Sequence, residues 1–228
     1  MSPITTQNSW SLRKEIFDFL SSQIENNNLK PGSLINVRKL TEELKVSRTP
    51  LREALAQLEV QGLVTIMPQR GVLINVLTYE DLLDLFEIIG ALESQVLMTI
   101  FNRITASKID RMARYNRIML KAIEKGKNRK FHETNILFHK VFLDLSTNRE
   151  LTGYVGNLKL RLFGFALRSY RDSFKKAIVE EHDVFIGLLR EGNRSGASEY
   201  LKNIHWKFNH PENFIRPDTV IGNRPGRD

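Results

Sequence analysis

Two groups of residues have the types and spacings that chemistry would need. Asn135 and His139 stand four apart in a stretch of helical periodicity and so fall on one helix face, while His182 and His205 lie in two later stretches of the same kind. Three imidazoles beside an oxygen donor suit zinc, nickel and other borderline divalent cations, with positions left open for water or a ligand. The same side chains equally suit hydrogen-bonded places in a helical core, and their long separation in sequence leaves both readings open. The second group is Ser47-Arg48-Thr49-Pro50-Leu51-Arg52. Ser47 can cap a helix whose first turn tolerates Pro50, so that Arg48, Thr49 and Arg52 project from its N-terminal end. In a helix-turn-helix that end meets base edges and phosphates in the major groove. Each of these residues alone would read as a solvated surface group; the case rests on their setting.

That setting is a set of short elements. An amphipathic helix over 12–25 carries Leu12, Ile16, Phe19, Leu20 and Ile24 at helical spacing, and Pro31-Gly32 breaks the chain after it. A helix follows over 37–44, with Val37, Leu40 and Leu44 on one face; Lys45-Val46 makes a short turn. The third helix packs through Leu55 and Leu58 and ends at Gly62. Two strands, 64–67 and 72–76, flank Pro68-Gln69-Arg70-Gly71, a turn with a cation at its tip that would reach a minor groove or phosphate. Helix, helix, helix, hairpin is a winged helix-turn-helix, and it spans residues 10–77.

From 78 to 209 the alternation of strands is missing and helical periodicity continues, broken at polar or glycine-containing points. Six helices are expected, over about 78–103, 106–125, 129–146, 149–169, 173–191 and 195–209. The fold is therefore mainly α: an N-terminal winged helix-turn-helix followed by a C-terminal all-helical bundle. Residues 210–228, rich in Pro, Gly, Asn and Arg, form a loosely ordered tail.

Composition narrows the partners. Lys and Arg number 34 against 26 Asp and Glu, a formal charge of +8, which favours a polyanion. No apolar run nears the ~20 residues that span a bilayer and no secretory leader follows Met1, so a membrane is excluded as partner and a cytoplasmic location is expected. The absence of cysteine removes disulfides, thiolate nucleophiles and cysteine zinc sites, and suits a reducing compartment.

Pro31-Gly32, Leu40-Thr41-Glu42-Glu43-Leu44, the run from Ser47 to Leu55, and Leu58-Glu59-Val60-Gln61-Gly62-Leu63-Val64 together resemble the GntR family of bacterial transcription regulators. The resemblance implies that Arg38, Arg48, Thr49 and Arg52 contact DNA and that Gly71 is the wing-tip glycine. Ser47 and Arg70 join the expected DNA set on chemistry: Ser47, like Thr49, for phosphate or thymine, and Arg70, like Arg38, for backbone and groove contacts, with Arg48 and Arg52 for guanine or phosphate.

In the second half, Asn135-Ile136-Leu137-Phe138-His139, Ser146 to Leu151, Glu181-His182 and Ala197 to His205 resemble the FCD ligand-sensing domain of the FadR-like subgroup, and six helices resemble its VanR branch. This implies a divalent metal, zinc or nickel, on Asn135, His139, His182 and His205, and a small organic acid as effector. Two positions depart from the family pattern. Asn135 stands where Asp is frequent, which removes a negative charge from the ligand set. Ile89 stands where Arg is frequent, although Glu93 fits. Arg161 and Arg168, seven apart on the fourth bundle helix, are candidates for the effector's carboxylate, beside the plainer reading of a solvated stripe.

The expected protein is a regulator binding a palindromic DNA operator as a homodimer, its affinity set by the acid and the metal. No catalytic residue is assigned: there is no nucleophile elbow, phosphate-binding glycine loop or dense carboxylate set. The alternatives are a metal-dependent hydrolase tethered to DNA by its first domain, and an architectural DNA-binding protein without a ligand.

Overall fold

A computed structural model describes residues 9–25, 28–166 and 171–207. Their contacts group them into two units, residues 9–78 with 160–165, and residues 79–159 with 166 and 171–207. The expected tail, 210–228, and Arg168 lie outside the described residues.

In the first unit α1 (Ser9–Glu25), α2 (Val37–Leu44) and α3 (Arg48–Val60) precede a hairpin of β2 (Val64–Met67) and β3 (Gly71–Ile74). A two-residue strand, β1 (Leu34–Ile35), pairs antiparallel with β3 and completes a sheet of order β1-β3-β2. Two residues leave no alternation to detect, so this strand is invisible to periodicity. Ile16, Leu20, Leu51, Leu55, Leu58 and Ile74 are almost fully buried in the core beneath the sheet and helices, each such side chain contributing about 1.5–3 kcal/mol of transfer free energy.

Three details differ from expectation or explain it. Asn36 caps α2, its side chain accepting from the Lys39 amide at 3.1 Å. Ser47, expected to cap α3, sits at the N-cap position but makes no side-chain capping bond. And β3 ends at Ile74 rather than 76, because the Asn75 amide donates to the Leu63 carbonyl and its side chain donates to the Gly62 carbonyl at 3.0 Å, tying the chain back to the end of α3. The turn between α2 and α3 is made by Lys45 in the left-handed region, φ 54, with its amide on the Thr41 carbonyl. At the wing, Gly71 has φ +119 and a Cβ there would lie 2.5 Å from the Ile35 carbonyl oxygen, so the pairing of β1 with β3 requires glycine.

The second unit is helical: α4 (Tyr79–Ile100), α5 (Ala106–Glu124), α6 (Asn128–Leu143), α7 (Arg149–Ala166), α8 (Asp172–Arg190) and α9 (Arg194–Tyr200), with a 3-10 turn at Phe101–Arg103. Residues 160–165 of α7 group by their contacts with the first unit, where Leu160 packs on its core. The chain beyond α9 winds into a π turn, Leu201–His205, closed by the Trp206 amide on the Leu201 carbonyl at 3.0 Å. Phe131, Phe138, Phe142 and Phe185 are buried at the centre. At Gly90, in the middle of α4, an added Cβ would lie 2.8 Å from the Trp206 Cβ and 3.3 Å from the Lys202 carbonyl. The glycine lets the π turn settle directly on α4, which carries the next residue of interest, Glu93.

Candidate metal centre and DNA-facing helix

Helical periodicity brings three distant histidines together. His139 comes from α6, His182 from α8 and His205 from the π turn; one ring nitrogen of each lies within 4.8 Å of the others. All three residues are buried. The rings touch: His139 and His205 are stacked with centroids 5.1 Å apart, and His182 lies flat on Phe138 at 3.7 Å.

Which nitrogens converge follows from what holds the others. His139 Nδ1 is 2.8 Å from Glu93 Oε2, and His205 Nδ1 is 2.8 Å from Glu181 Oε2. A carboxylate only accepts, so each Nδ1 carries the proton. His182 Nδ1 lies 3.1 Å from Asn116 Oδ1. Asn116 is itself oriented by its NH2 group, which donates to the Val179 carbonyl and to Asp183 Oδ1, both at 2.8 Å. Its oxygen must therefore face His182, whose Nδ1 is again the donor. Each ring is thus left with its Nε2 turned toward the others. Those of His139 and His205 stand 3.2 Å apart, a hydrogen bond that one proton must bridge unless a cation replaces it, and that of His182 is buried without a hydrogen-bond partner. Convergent Nε2 atoms with every opposite nitrogen anchored is the arrangement that presents imidazoles to a cation.

Asn135 is 3% exposed, one turn before His139, and its Oδ1 has no hydrogen-bond partner. A buried amide oxygen left unmatched is costly, and a cation would satisfy it. The donor chemistry and the orphaned oxygen both fit a divalent metal.

The electrostatics agree. Burial pushes His139 down from 6.5 to about 3, although Glu93 pulls the other way. His182 is held well below its ordinary value by burial, then by the neighbouring His205 and His139. Both are neutral, ligand-competent imidazoles at neutral pH. Burial alone would raise Glu93, but the charges and hydrogen bonds of His139 and Lys159 outweigh it and bring the carboxyl to about 2. Glu93 has no exposure at all and takes three donors: His139, the Lys159 ammonium as an ion pair, and the Trp206 indole N–H at 2.8 Å. Burial lowers Lys159 from 10.5 against the pull of Glu93.

Sequence reasoning named the four candidate metal residues but not their holders. Asn116 and Lys159 sit on α5 and α7, and Trp206 just after the π turn, with nothing in their local pattern to single them out, while Glu181 entered only as the neighbour of His182. Arg161 lies in the 160–165 stretch that groups with the first unit, with its Cδ and Nε 3.2 Å from where a Cβ on Gly62 would stand.

On the first unit Arg38, Ser47, Arg48, Thr49, Arg52 and Arg70 are all exposed, and Gly71 is half-buried. Leu51, Ala54, Leu55 and Leu58 bury one face of α3, which turns Arg48, Thr49 and Arg52 outward together. Arg48, Arg52 and Arg70 have no ion-pair partner among the described residues, while Arg38 makes only a loose surface pair with Glu42 at 3.3 Å. The uncapped end of α3 leaves the Ser47 hydroxyl and the first amides available to a phosphate.

Comparison with known proteins bears on both units. The profile of bacterial regulatory proteins of the gntR family matches residues 12–74, and that of the FCD domain matches residues 84–205. Among curated relatives, the uncharacterized HTH-type transcriptional regulator YdhC of Bacillus subtilis is 25% identical over 189 residues, covering 82% of this chain and 84% of that one. The Nta operon transcriptional regulator of Aminobacter aminovorans is 33% identical over 135 residues, 58% of this chain and 63% of that one. In fold, the chain is similar to E. coli McbR/YncC, with a TM-score of 0.71 at 20% identity over 85% of this chain and 93% of the other.

Proposed function

The chain belongs to the GntR family of bacterial regulatory proteins with an FCD domain, and is a ligand-responsive, DNA-binding transcription regulator; from this we propose that its response is set by a divalent metal and a small organic acid bound together in the helical unit. The observation that carries this reading is the convergence of three Nε2 atoms whose rings are each held through Nδ1. His139, His182 and His205 hold the metal, zinc or nickel, with Asn135 as the oxygen ligand. The metal would supply a positive charge and open positions to which a carboxylate can bind. Glu93, Glu181 and Asn116 fix the rings and their tautomers, and the two carboxylates are thereby committed. Neither stands free as a general base, which favours sensing over hydrolysis, as do relatives named as transcriptional regulators.

The DNA reading assigns Arg48 and Arg52 to guanine or phosphate, Ser47 and Thr49 to phosphate or thymine, and Arg38, Arg70 and Gly71 to the backbone and the groove beside the wing. Two copies of the chain bind a palindromic operator, each α3 entering one major-groove segment. DNA as target puts the protein in the cytoplasm; no helix among the described residues is long and apolar enough to cross a membrane. The acid must favour one DNA-binding state over the other, since equal affinity for both would shift nothing.

The test is a fluorescence-anisotropy titration on an operator selected from genomic fragments, with elemental analysis of the purified protein. One equivalent of metal per chain, and an operator affinity that changes when chelator or an acid panel is added, is the expected result. Protein that binds its operator identically with metal, without it and with every acid would refute the sensing mechanism.

A further inference from the structure

Resting on the metal-and-acid reading, we propose that Lys159 is the residue that recognises a second acidic group on the ligand, so that the effector is a dicarboxylate or similar two-headed acid. Among the described residues two lysines of the helical unit are buried, and they differ in how their ammonium groups are matched. Lys175 has two oxygen acceptors, Asn128 Oδ1 at 2.6 Å and Asp172 Oδ1 at 2.9 Å. Lys159 is 5% exposed and has one acceptor, Glu93, among the described residues. An ammonium carries three N–H donors, and buried donors are nearly always matched. The Trp206 ring, 5.0 Å from Nζ, attracts the charge but accepts no ordinary hydrogen bond in its place. Lys159 therefore has donor capacity left for an anion.

Its position relative to the histidines follows from a shared carboxylate. Glu93 gives Oε1 to Lys159 and Oε2 to His139, whose opposite nitrogen belongs to the converging set. The ammonium and the cluster are thus one carboxylate and one imidazole apart. The charges also favour an anion. Lys159 and Glu93 cancel, and neither the imidazoles nor the Asn135 amide brings a negative charge to a bound dication; Glu181, behind His205, is a further carboxylate in contact with the cluster. A ligand with one carboxylate at the metal and another at Lys159 would meet both the dication and the spare donors of the ammonium.

The experiment uses the full-length protein. Zinc affinity is measured first by chelator competition, and then the zinc-loaded protein is titrated calorimetrically with malonate, succinate and glutarate and with the monoacids of equal carbon number. A second charge-assisted contact should make at least one diacid bind about tenfold or more tightly than its matched monoacid. K159M should abolish that preference while leaving zinc and monoacid affinities within about threefold, and K159R should retain it. A purely structural lysine would instead lower all three affinities together. If K159M fails to fold, the E93Q/K159M protein, which leaves no unpaired charge inside, takes its place; because loss of Glu93 weakens zinc, it is titrated at saturating zinc beside E93Q alone, and it should show no preference where E93Q keeps one. Equal binding of diacids and monoacids by the natural protein, or a preference that survives in K159M, overturns the role of Lys159 alone. Failure of zinc to bind overturns the metal reading and the two-point mode with it.

Discussion

Arg48 and Arg52 are exposed and have no ion-pair partner among the described residues, whereas Glu93, Lys159 and His139 are buried and hold one another. The two regions prepare charge for a partner in opposite ways. On α3 the scaffold only aims the cations, and solvent keeps them cheap to leave unpaired until a phosphate displaces counterions. Inside the helical unit no charge can be left waiting, so every imidazole is fixed by a dedicated acceptor and the carboxylate beside the cluster is matched three times. The difference teaches where each function is fragile: the outer site depends on a few side chains, the inner one on their supports as well.

The largest effect should separate the regions outright. Changing Arg48 and Arg52 together to alanine should weaken operator binding by about thirtyfold or more, at about 1–3 kcal/mol for each arginine, and flatten its salt dependence, without moving metal affinity or thermal stability. Anisotropy titrations at several salt concentrations check this; unchanged affinity would mean that α3 does not face the duplex.

Next in size is the inner support. E93Q should lower zinc affinity about 10–100-fold, as loss of a ligand's anchoring partner does, while operator binding by the metal-free protein stays as it was. A drop in both would show that the two regions are not separately breakable.

Acid should find the inner region and spare the outer. In metal-free protein His139 titrates near 3 against 6.5 when unfolded, and His182 is depressed in the same direction. The unfolded chain thus binds protons that the folded one refuses. The stability these rings contribute is whole above pH 6.5 and is lost as pH falls toward about 3, at up to roughly 1.4 kcal/mol per pH unit for each histidine. Glu93, at about 2 when folded against 4.5, extends the loss below pH 4.5. Denaturant midpoints of chelator-treated protein at pH 7.5, 6 and 5 should fall in that order, and a flat series would contradict the buried, neutral rings.

The smallest effect compares two helix starts. N36A should cost about 1 kcal/mol because Asn36 caps α2, while S47A should cost only a few tenths because Ser47 caps nothing. S47A should still weaken operator binding if its hydroxyl serves the phosphate. Denaturant unfolding and anisotropy of the two variants distinguish these roles.

Legibility in the sequence follows the same division. The winged unit was readable because its signals are local: caps, turns and apolar spacing all act within a few residues, and even the outward set on α3 follows from which face is apolar. It missed β1, too short for a period, and the idle side chain of Ser47. In the helical unit, spacing put Asn135 and His139 on one face, but nothing local tied them to His182 and His205; the family resemblance did. Lys159 and Asn116 could not be found at all, because their partners Glu93 and His182 are 66 residues away in each case. Buried networks are written in tertiary contacts.

The widened last turn at Leu201–His205 makes this histidine sensitive to length in a way the other two are not. Each residue rotates the next one around the helix axis, so neighbouring positions face different ways. Ile204 stands 45% exposed immediately before His205, which is 7% exposed. Removing any one residue from this turn would carry the imidazole to the bearing that Ile204 now has, toward water. A census of natural or engineered indels should therefore find this five-residue stretch intolerant of shortening even where its individual side chains can be exchanged.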